Sequence, residues 1–171
     1  MLIPVKELLR CKGRLSSILD LEERKEFVLS MLKDVLKAAS SSLVNQIVIV
    51  GSDYYIQKMI EEFGANFLLE TGRGLNNALE YATTWCIESG AEAVLILPAD
   101  LPLITVNDIN EIIQMASESA SVVISPSEDG GTNALMRRPS NVIKAHFGPR
   151  SFYKHIKEAS VKGIQVKIYR S

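Results

Sequence analysis

Residues 91–100 read "AEAVLILPAD", and the run Val94-Leu95-Ile96-Leu97 inside them carries no polar residue. A strand with one wet face alternates apolar and polar residues. An unbroken apolar run bounded by turn residues is expected of a strand buried on both faces, as in a parallel sheet covered by helices. The run ends in "ILPADLPL", Ile96 to Leu103, which sets one carboxylate, Asp100, between Pro98 and Pro102. Each proline removes a backbone donor and fixes φ, so Asp100 is expected on a stiffened strand end where the sheet opens to solvent. An acid there is either a turn former or a ligand to a hard cation such as Mg²⁺, which one or two protein carboxylates suffice to hold.

The flanking sequence repeats the same alternation. "LIPV" reads as a first strand, and "LEERKEFVLSMLKDVLKAA" has Leu21, Phe27, Val28, Met31, Leu32, Val35 and Leu36 at helical spacing. "QIVIV" reads as a strand, "YYIQKMIEEFG" as a helix closed by Gly, "ANFLLE" as a strand and "LNNALEYATTWCIESG" as a helix that also stops at Gly. Beyond the central strand, "TVNDINEIIQMASES" opens with Thr105 and Asp108 at capping-box spacing. "ASVVISPS" reads as a strand, "EDGGT" as a turn, "NALMRR" as an edge strand, "SFYKHIKEASVKG" as a helix with Ser151 as its N-cap, and "IQVKIY" as a last strand. The expected fold is α/β: a mostly parallel sheet with helices on both faces, in a single domain over residues 1–171. Ligands in such folds bind beyond the carboxyl ends of the strands. "KELLRCKGR", "ETGRG", "PAD" and "PSEDGGT" each follow an expected strand, so they should share one rim.

Composition bounds the class. The chain has 171 residues, 47% hydrophobic and 23% charged, which excludes general disorder and allows a sizeable core. No apolar stretch approaches the roughly 20 residues needed to span a bilayer, and charges interrupt the opening "MLIPVKELLRCKGRL", so no membrane partner or signal peptide is expected. The two cysteines make neither a disulfide framework nor a metal quartet, which points to the cytoplasm. The net charge of −1 conceals basic ends around an acidic middle; from Arg137 onward nine bases accompany one acid, Glu158. Such ends form an anion site if folding joins them, or else a solvated basic face. Sparse aromatics argue against nucleic acid.

Five stretches could carry chemistry. In "PVKELLRCKGRL", Lys6, Lys12 and Arg14 lie in a loop after a strand, where a triphosphate would find several cations; the glycine spacing and Lys-Ser/Thr pair of a Walker loop are absent. Asp100 is the second. In "EDGGTNAL" the paired glycines allow close backbone approach, and their N–H groups can converge on an anion, with Thr132 and Asn133 adding donors; a plain hairpin turn explains the same residues. "FGPRSF" sets Gly148, Arg150 and Ser151 at a helix start, where free N–H groups bind anions or Ser151 caps. In "GRGLNNAL", Asn76 or Asn77 could read a base edge or bond locally. His146 and His155 show no partner pattern, and Trp85 reads as core.

Together and in order, "PVKELLRCKGRLSSILDLEERKEFVLSMLKDVL", "GRGLNNAL", "LPADLPLIT", "SPSEDGGTNALMRRP" and "FGPRSF" resemble the 2-phospho-L-lactate guanylyltransferase family over nearly the whole chain. The resemblance implies a single-domain nucleotidyltransferase fold related to sugar-nucleotide pyrophosphorylases, and a step in making coenzyme F(420). In that step GTP is joined to 2-phospholactate, or in some members to phosphoenolpyruvate or 3-phosphoglycerate, with release of pyrophosphate. Carried over by position, it implies that Lys6 and Lys12 hold the triphosphate beside Arg14, that Asp100 holds Mg²⁺, and that Thr132, Gly148 and Ser151 bind the phosphorylated acid. Asn76 is expected at the nucleotide, and a homodimer is a family-level expectation. The chain departs from the family at Gly13, where a Ser is usual. The family has a further Asp-x-Asp, ahead of a Thr-Pro segment, that this sequence does not contain; those acids would complete the metal site, so either the natural chain is longer or its metal binding is impaired. Two other readings stand beside this one: a nucleotidyltransferase with a sugar phosphate or molybdopterin acceptor, and a nucleotide-binding module without turnover.

Overall fold

The computed structural model describes residues 1–5, 16–70, 74–116 and 119–170. Its elements alternate as the periodicity predicts: β1 (Leu2–Val5), α1 (Leu21–Ser40), β2 (Val48–Gly51), α2 (Tyr55–Glu61), β3 (Asn66–Leu69), α3 (Leu75–Glu88), β4 (Val94–Ile96), α4 (Val106–Met115), β5 (Ser121–Pro126), β6 (Thr132–Arg138), α5 (Ser151–Val161) and β7 (Gln165–Ile168). The seven strands form one sheet in the order β3-β2-β1-β4-β6-β5-β7. All neighbouring pairs are parallel except the two made by β6, which runs antiparallel to β4 and β5.

Side chains on a strand alternate between faces, and the two faces hold separate cores. Ile3, Ile49, Leu95, Val123 and Met136 meet α1, α2 and α4 on one side. Leu2, Val48, Val50, Val94, Ile96, Val122, Ile124 and Leu135 meet α3 and α5 on the other. This double burial is why the strands read as unbroken apolar runs. Two capping boxes start helices: Thr105 with Asp108 on α4, as the spacing predicts, and Asp20 with Glu23 on α1, whose sequence signal is the same Asp-x-x-Glu spacing. Phe27, expected on the buried stripe of α1, is 46% exposed, while Val28, Met31, Leu32, Val35 and Leu36 are buried. Among the described residues no helix is long and apolar enough to cross a membrane.

One element departs from expectation. "NALMRR" is not an edge strand: β6 lies inside the sheet, between β4 and β5. Two consecutive arginines suit an exposed edge, but Arg137 turns onto the α3 face and is fully buried against Glu80, while Arg138 reaches Glu92 at 2.8 Å. An ion pair supplied from a distant helix thus lets a charged residue occupy an inner strand.

Candidate active site

The sheet reverses its winding between β1 and β4, since β2 and β3 lie to one side of β1 and β4 lies to the other. Ligands in open α/β sheets occupy the crevice at such a point, beyond the carboxyl ends of the strands. On that rim a cavity of about 1030 Å³ is lined by Pro98 and Asp100 after β4, by the β5–β6 turn with Thr132, and by Gly148, Arg150 and Ser151 ahead of α5. Four expected site residues, Asp100, Thr132, Gly148 and Ser151, therefore meet at one opening. Lys6, Lys12 and Arg14 lie outside the described residues, as does Arg73.

A break in strand register aims Thr132. Thr132 has the parity of Ala134 and Met136, whose side chains face α1 and α4. The β5–β6 pairing steps from Ser125↔Ala134 to Pro126↔Thr132, however, so one residue of β6 is passed over. Bulges redirect side chains next to sites, and Pro126, which has no N–H to give, sits at this one. Thr132 consequently reaches α5, where its Oγ1 lies 2.9 Å from Ser151 Oγ and 3.2 Å from His155 Nδ1. All three side chains are buried.

Two expected anion cradles are closed by local hydrogen bonds. The "EDGGT" segment is a hairpin turn: Gly130 N–H donates to Ser127 O at 3.0 Å, and Gly131 N–H donates to Asp129 Oδ1 at 3.0 Å. Those N–H groups close the turn instead of converging on an anion. A side chain at Gly131 would put its Cβ 2.5 Å from Ser127 Oγ, so the glycine serves close packing. At the start of α5, Ser151 is the first helical residue, not the N-cap; Arg150 is the cap, in the left-handed region at φ 56°. Ser151 N–H donates to Gly148 O and Phe152 N–H to Gly130 O, which ties the hairpin to the helix. Gly148, at φ 120°, provides the turn that a side chain would resist. The N–H groups of Ser151 and Phe152 are thus bonded locally, and the Thr132–Ser151 hydroxyl pair is among the polar groups that line the cavity.

The loop carrying Gly148 is held by four side chains on four successive N–H groups. Glu158 accepts from Lys144 N–H at 3.2 Å, Glu80 from Ala145 N–H at 2.8 Å, His155 Nε2 from His146 N–H at 2.9 Å, and Asn76 Oδ1 from Phe147 N–H at 2.7 Å. Asn76 Nδ2 also donates to Phe147 O at 3.0 Å, so its amide holds both the N–H and the C=O of one residue. Asn76, expected at the nucleotide, spends that edge on the loop. The histidines that lacked a partner pattern are partners of each other, and His146 Nε2 meets Glu158 Oε2 at 2.5 Å. Four bases of the C-terminal third are committed elsewhere: Arg137 pairs with Glu80, Arg138 with Glu92 and Lys162 with Glu158, and Lys167 donates to Met115 O. Arg150 is a base of that third at the cavity, while the N-terminal bases lie outside the described residues.

Two of these groups make the fold acid-labile. Burial, with smaller contributions from His146 and Arg137, pushes His155 down to about 4. Burial alone would raise Glu158, but hydrogen bonds from Lys162, His146 and the Lys144 N–H outweigh it and hold the acid at about 2. Each group binds fewer protons folded than unfolded, so acidification favours the unfolded chain. His155 contributes its stability above pH 6.5 and loses it as pH falls towards about 4, a loss on the order of 3 kcal/mol. Glu158 loses its contribution between pH 4.5 and about 2. Urea midpoints should fall steadily from pH 7 to 4, and His155→Asn should flatten that part of the curve. A flat wild-type profile over the range contradicts the assignment.

The chain matches the model of the family described as "Guanylyl transferase CofC like" over residues 1–171. The chain belongs to this family. A phosphoenolpyruvate guanylyltransferase of Rubrobacter xylanophilus is 38% identical over 97% of this chain and 82% of its own length. A 2-phospho-L-lactate guanylyltransferase of Methanocaldococcus vulcanius is 40% identical over 99% of this chain and 75% of its own. Among solved structures, a protein assigned as a nucleotide-diphospho-sugar transferase from Desulfovibrio desulfuricans superposes with a TM-score of 0.78, covering 98% of this chain and 78% of its own, at 16% identity. That last likeness shows the nucleotidyltransferase fold. The CofC-like match agrees with the resemblance carried by the five stretches: this is a nucleotidyltransferase of the guanylyl-transfer class.

Proposed function

We propose that this CofC-like protein transfers the guanylyl group of GTP to the phosphate of a small phosphorylated carboxylic acid. The acid is 2-phospho-L-lactate, phosphoenolpyruvate or 3-phosphoglycerate, and the products are a guanosine diphospho-acid, on the route to coenzyme F(420), and pyrophosphate. The observation that carries the reading is the convergence of Thr132, Gly148 and Ser151 with Asp100 around one cavity beside the winding reversal. Lys6 follows the last residue of β1 directly, so the segment holding Lys6, Lys12 and Arg14 departs from that same reversal. GTP would lie with its triphosphate towards these cations and the acid towards the hydroxyls.

The chemistry requires little of the protein beyond placement. A phosphate monoester has a second pKa of about 6 and is largely dianionic at neutral pH, so no side chain must generate the nucleophile. Its oxygen attacks the α-phosphorus of GTP, and the bond to the β-phosphate oxygen breaks as pyrophosphate leaves. Alignment and charge neutralisation are what remain. The Thr132–Ser151 hydroxyl pair would donate to the acid, Gly148 would let it approach the main chain, and Lys6, Lys12 and Arg14 would neutralise the triphosphate. Asp100 fits Mg²⁺: it is an exposed carboxylate on the cavity wall, an oxygen donor of the kind the ion takes. Among the described residues no cluster of three His, Cys, Asp or Glu side chains gathers there; substrate phosphate, water and the further acids that the resemblance implies would supply the other ligands. When bound, the ion would offset negative charge on the triphosphate. A single cytoplasmic domain, working as a homodimer without nucleic-acid or membrane partners, completes the proposal.

The test is a pyrophosphate-release assay that sets GTP, CTP and UTP against a panel of phosphorylated acids, sugar phosphates and a molybdopterin. GTP with one of the three acids should be preferred. Release with only a sugar phosphate or molybdopterin favours the other transferase reading, and GTP binding without release by the full-length protein favours the regulatory module. Thr132→Val and Ser151→Ala should each raise the acceptor KM about tenfold or more, because a hydrogen bond to a charged group is lost, and leave the GTP KM within about twofold. A lowered melting temperature with unchanged acceptor kinetics in both variants would remove the pocket assignment.

A further inference from the structure

His155 is fully buried and does not line the cavity, yet it contacts the hydroxyl pair that does. Its ring has one hydrogen-bonding arrangement available. Nε2 faces the His146 N–H at 2.9 Å, and a backbone N–H can only donate, so Nε2 carries no hydrogen. The hydrogen of the neutral imidazole therefore sits on Nδ1, where it donates to Thr132 Oγ1 at 3.2 Å. An imidazolium would set two N–H groups against each other at Nε2. The ring's other neighbours agree with a neutral form: Phe147 lies edge-on at 5.5 Å between centroids, and the His146 ring lies at 5.7 Å. Burial, the first cause of its low pKa, acts in the same direction, as do His146, Arg137 and Lys154, against Glu158.

The position of that hydrogen decides what the cavity presents. Thr132 and Ser151 have two hydroxyl hydrogens between them and share one across their 2.9 Å contact. With His155 donating, the second is left over, on Thr132 or Ser151 according to which of them donates to the other. With the opposite tautomer, Thr132 would donate to His155 and Ser151 to Thr132, leaving only lone pairs at the cavity. We propose that His155 is a positioning residue that makes the Thr132–Ser151 pair a net hydrogen donor, and so selects an anionic group, the phosphate or carboxylate of the acceptor, without touching it. This rests on the acceptor assignment above and adds a reason why two ambivalent hydroxyls would favour an anion.

Two substitutions separate this role from a structural one. His155→Asn sets an amide N–H near the place of Nδ1 and gives up the Nε2 contact. His155→Gln sets its carbonyl near the place of Nε2, keeps the His146 N–H bonded, and gives up the donor to Thr132. His155→Asn should hold the acceptor KM within about threefold of wild type, while His155→Gln should raise it about tenfold or more, with the GTP KM unchanged in both. The wild-type protein gives an independent reading: with two histidines in the chain, ¹⁵N-histidine NMR should show one of them, lost in either variant, as the Nδ1–H tautomer. An Nε2–H tautomer at His155 overturns the inference even if neither variant folds. So do acceptor and GTP KM values that rise together in step with a falling melting temperature. An active wild type whose Gln variant keeps its acceptor KM defeats this inference alone; a wild type inactive on every phosphorylated acid defeats the acceptor assignment beneath it.

Discussion

Asp100→Asn in the full-length protein is expected to lower kcat by about 100-fold or more while moving the melting temperature by no more than about 2 °C. The exchange removes one negative charge at nearly constant volume, from an exposed side chain in the turn that follows β4. Side chains there contribute little to the core, so stability should scarcely change. If Asp100 is a Mg²⁺ ligand, losing its charge weakens the hold on the ion, and raising Mg²⁺ should recover part of the lost rate. If it only forms the turn between Pro98 and Pro102, Asn is an equally good turn residue, and neither quantity should change. Near-normal turnover in the variant would end the metal assignment.

Glu80→Ala is expected to cost about 3–5 kcal/mol, seen as a fall of roughly 10 °C in melting temperature. Glu80 is itself partly exposed, and the cost falls on its partner. Arg137 has no exposed surface; its guanidinium donates to Glu80 Oε1 at 3.0 Å, to Ile143 O at 2.8 Å and to Thr83 Oγ1, and its Nε has no partner among the described residues. Removing the carboxylate strands a buried charge and also leaves Ala145 N–H without its acceptor. Arg137→Met should cost less, since it replaces the ion by an apolar chain, and adding it to Glu80→Ala should recover part of the loss. Because the same carboxylate holds the loop leading to Gly148, Glu80→Ala should raise the acceptor KM as well. A loss under about 1 kcal/mol for Glu80→Ala, with no recovery in the double variant, would contradict this view of the pair.

The alternation of strands and helices was legible because both faces of each inner strand are buried, which removes polar residues from runs such as Val94–Leu97. Thr105 and Asp108 were legible for a different reason: a capping box is complete within four residues. What could not be read depends on partners far apart in the chain. Arg137 suggested an exposed edge because nothing near it in sequence reveals Glu80, 57 residues earlier. His155 looked solitary because its partners come from the β6 bulge and from an irregular loop without periodicity. The bulge has only Pro126 as a signal, and Pro126 equally suits a strand end. Ser151 matched a cap by residue type, but Arg150 takes the left-handed position, which residue preference alone would assign to glycine. That Asp100 and Thr132 share a rim was legible from the strand ends they follow, but the joining of Gly148 and Ser151 to them was legible only through the resemblance, since each alone had an ordinary local explanation.

The central claim is that the bond made joins the α-phosphorus of GTP to the phosphate of a small acid. It is tested most directly by incubating the full-length protein with Mg²⁺, 2-phospho-L-lactate or phosphoenolpyruvate, and GTP labelled at either the α- or the γ-phosphate. The α-label should appear in a guanosine diphospho-acid whose formation requires the acid, and the γ-label should appear only in pyrophosphate. An α-label that stays in GTP, or that reaches GMP or GDP at a rate indifferent to the acid, would contradict the claim.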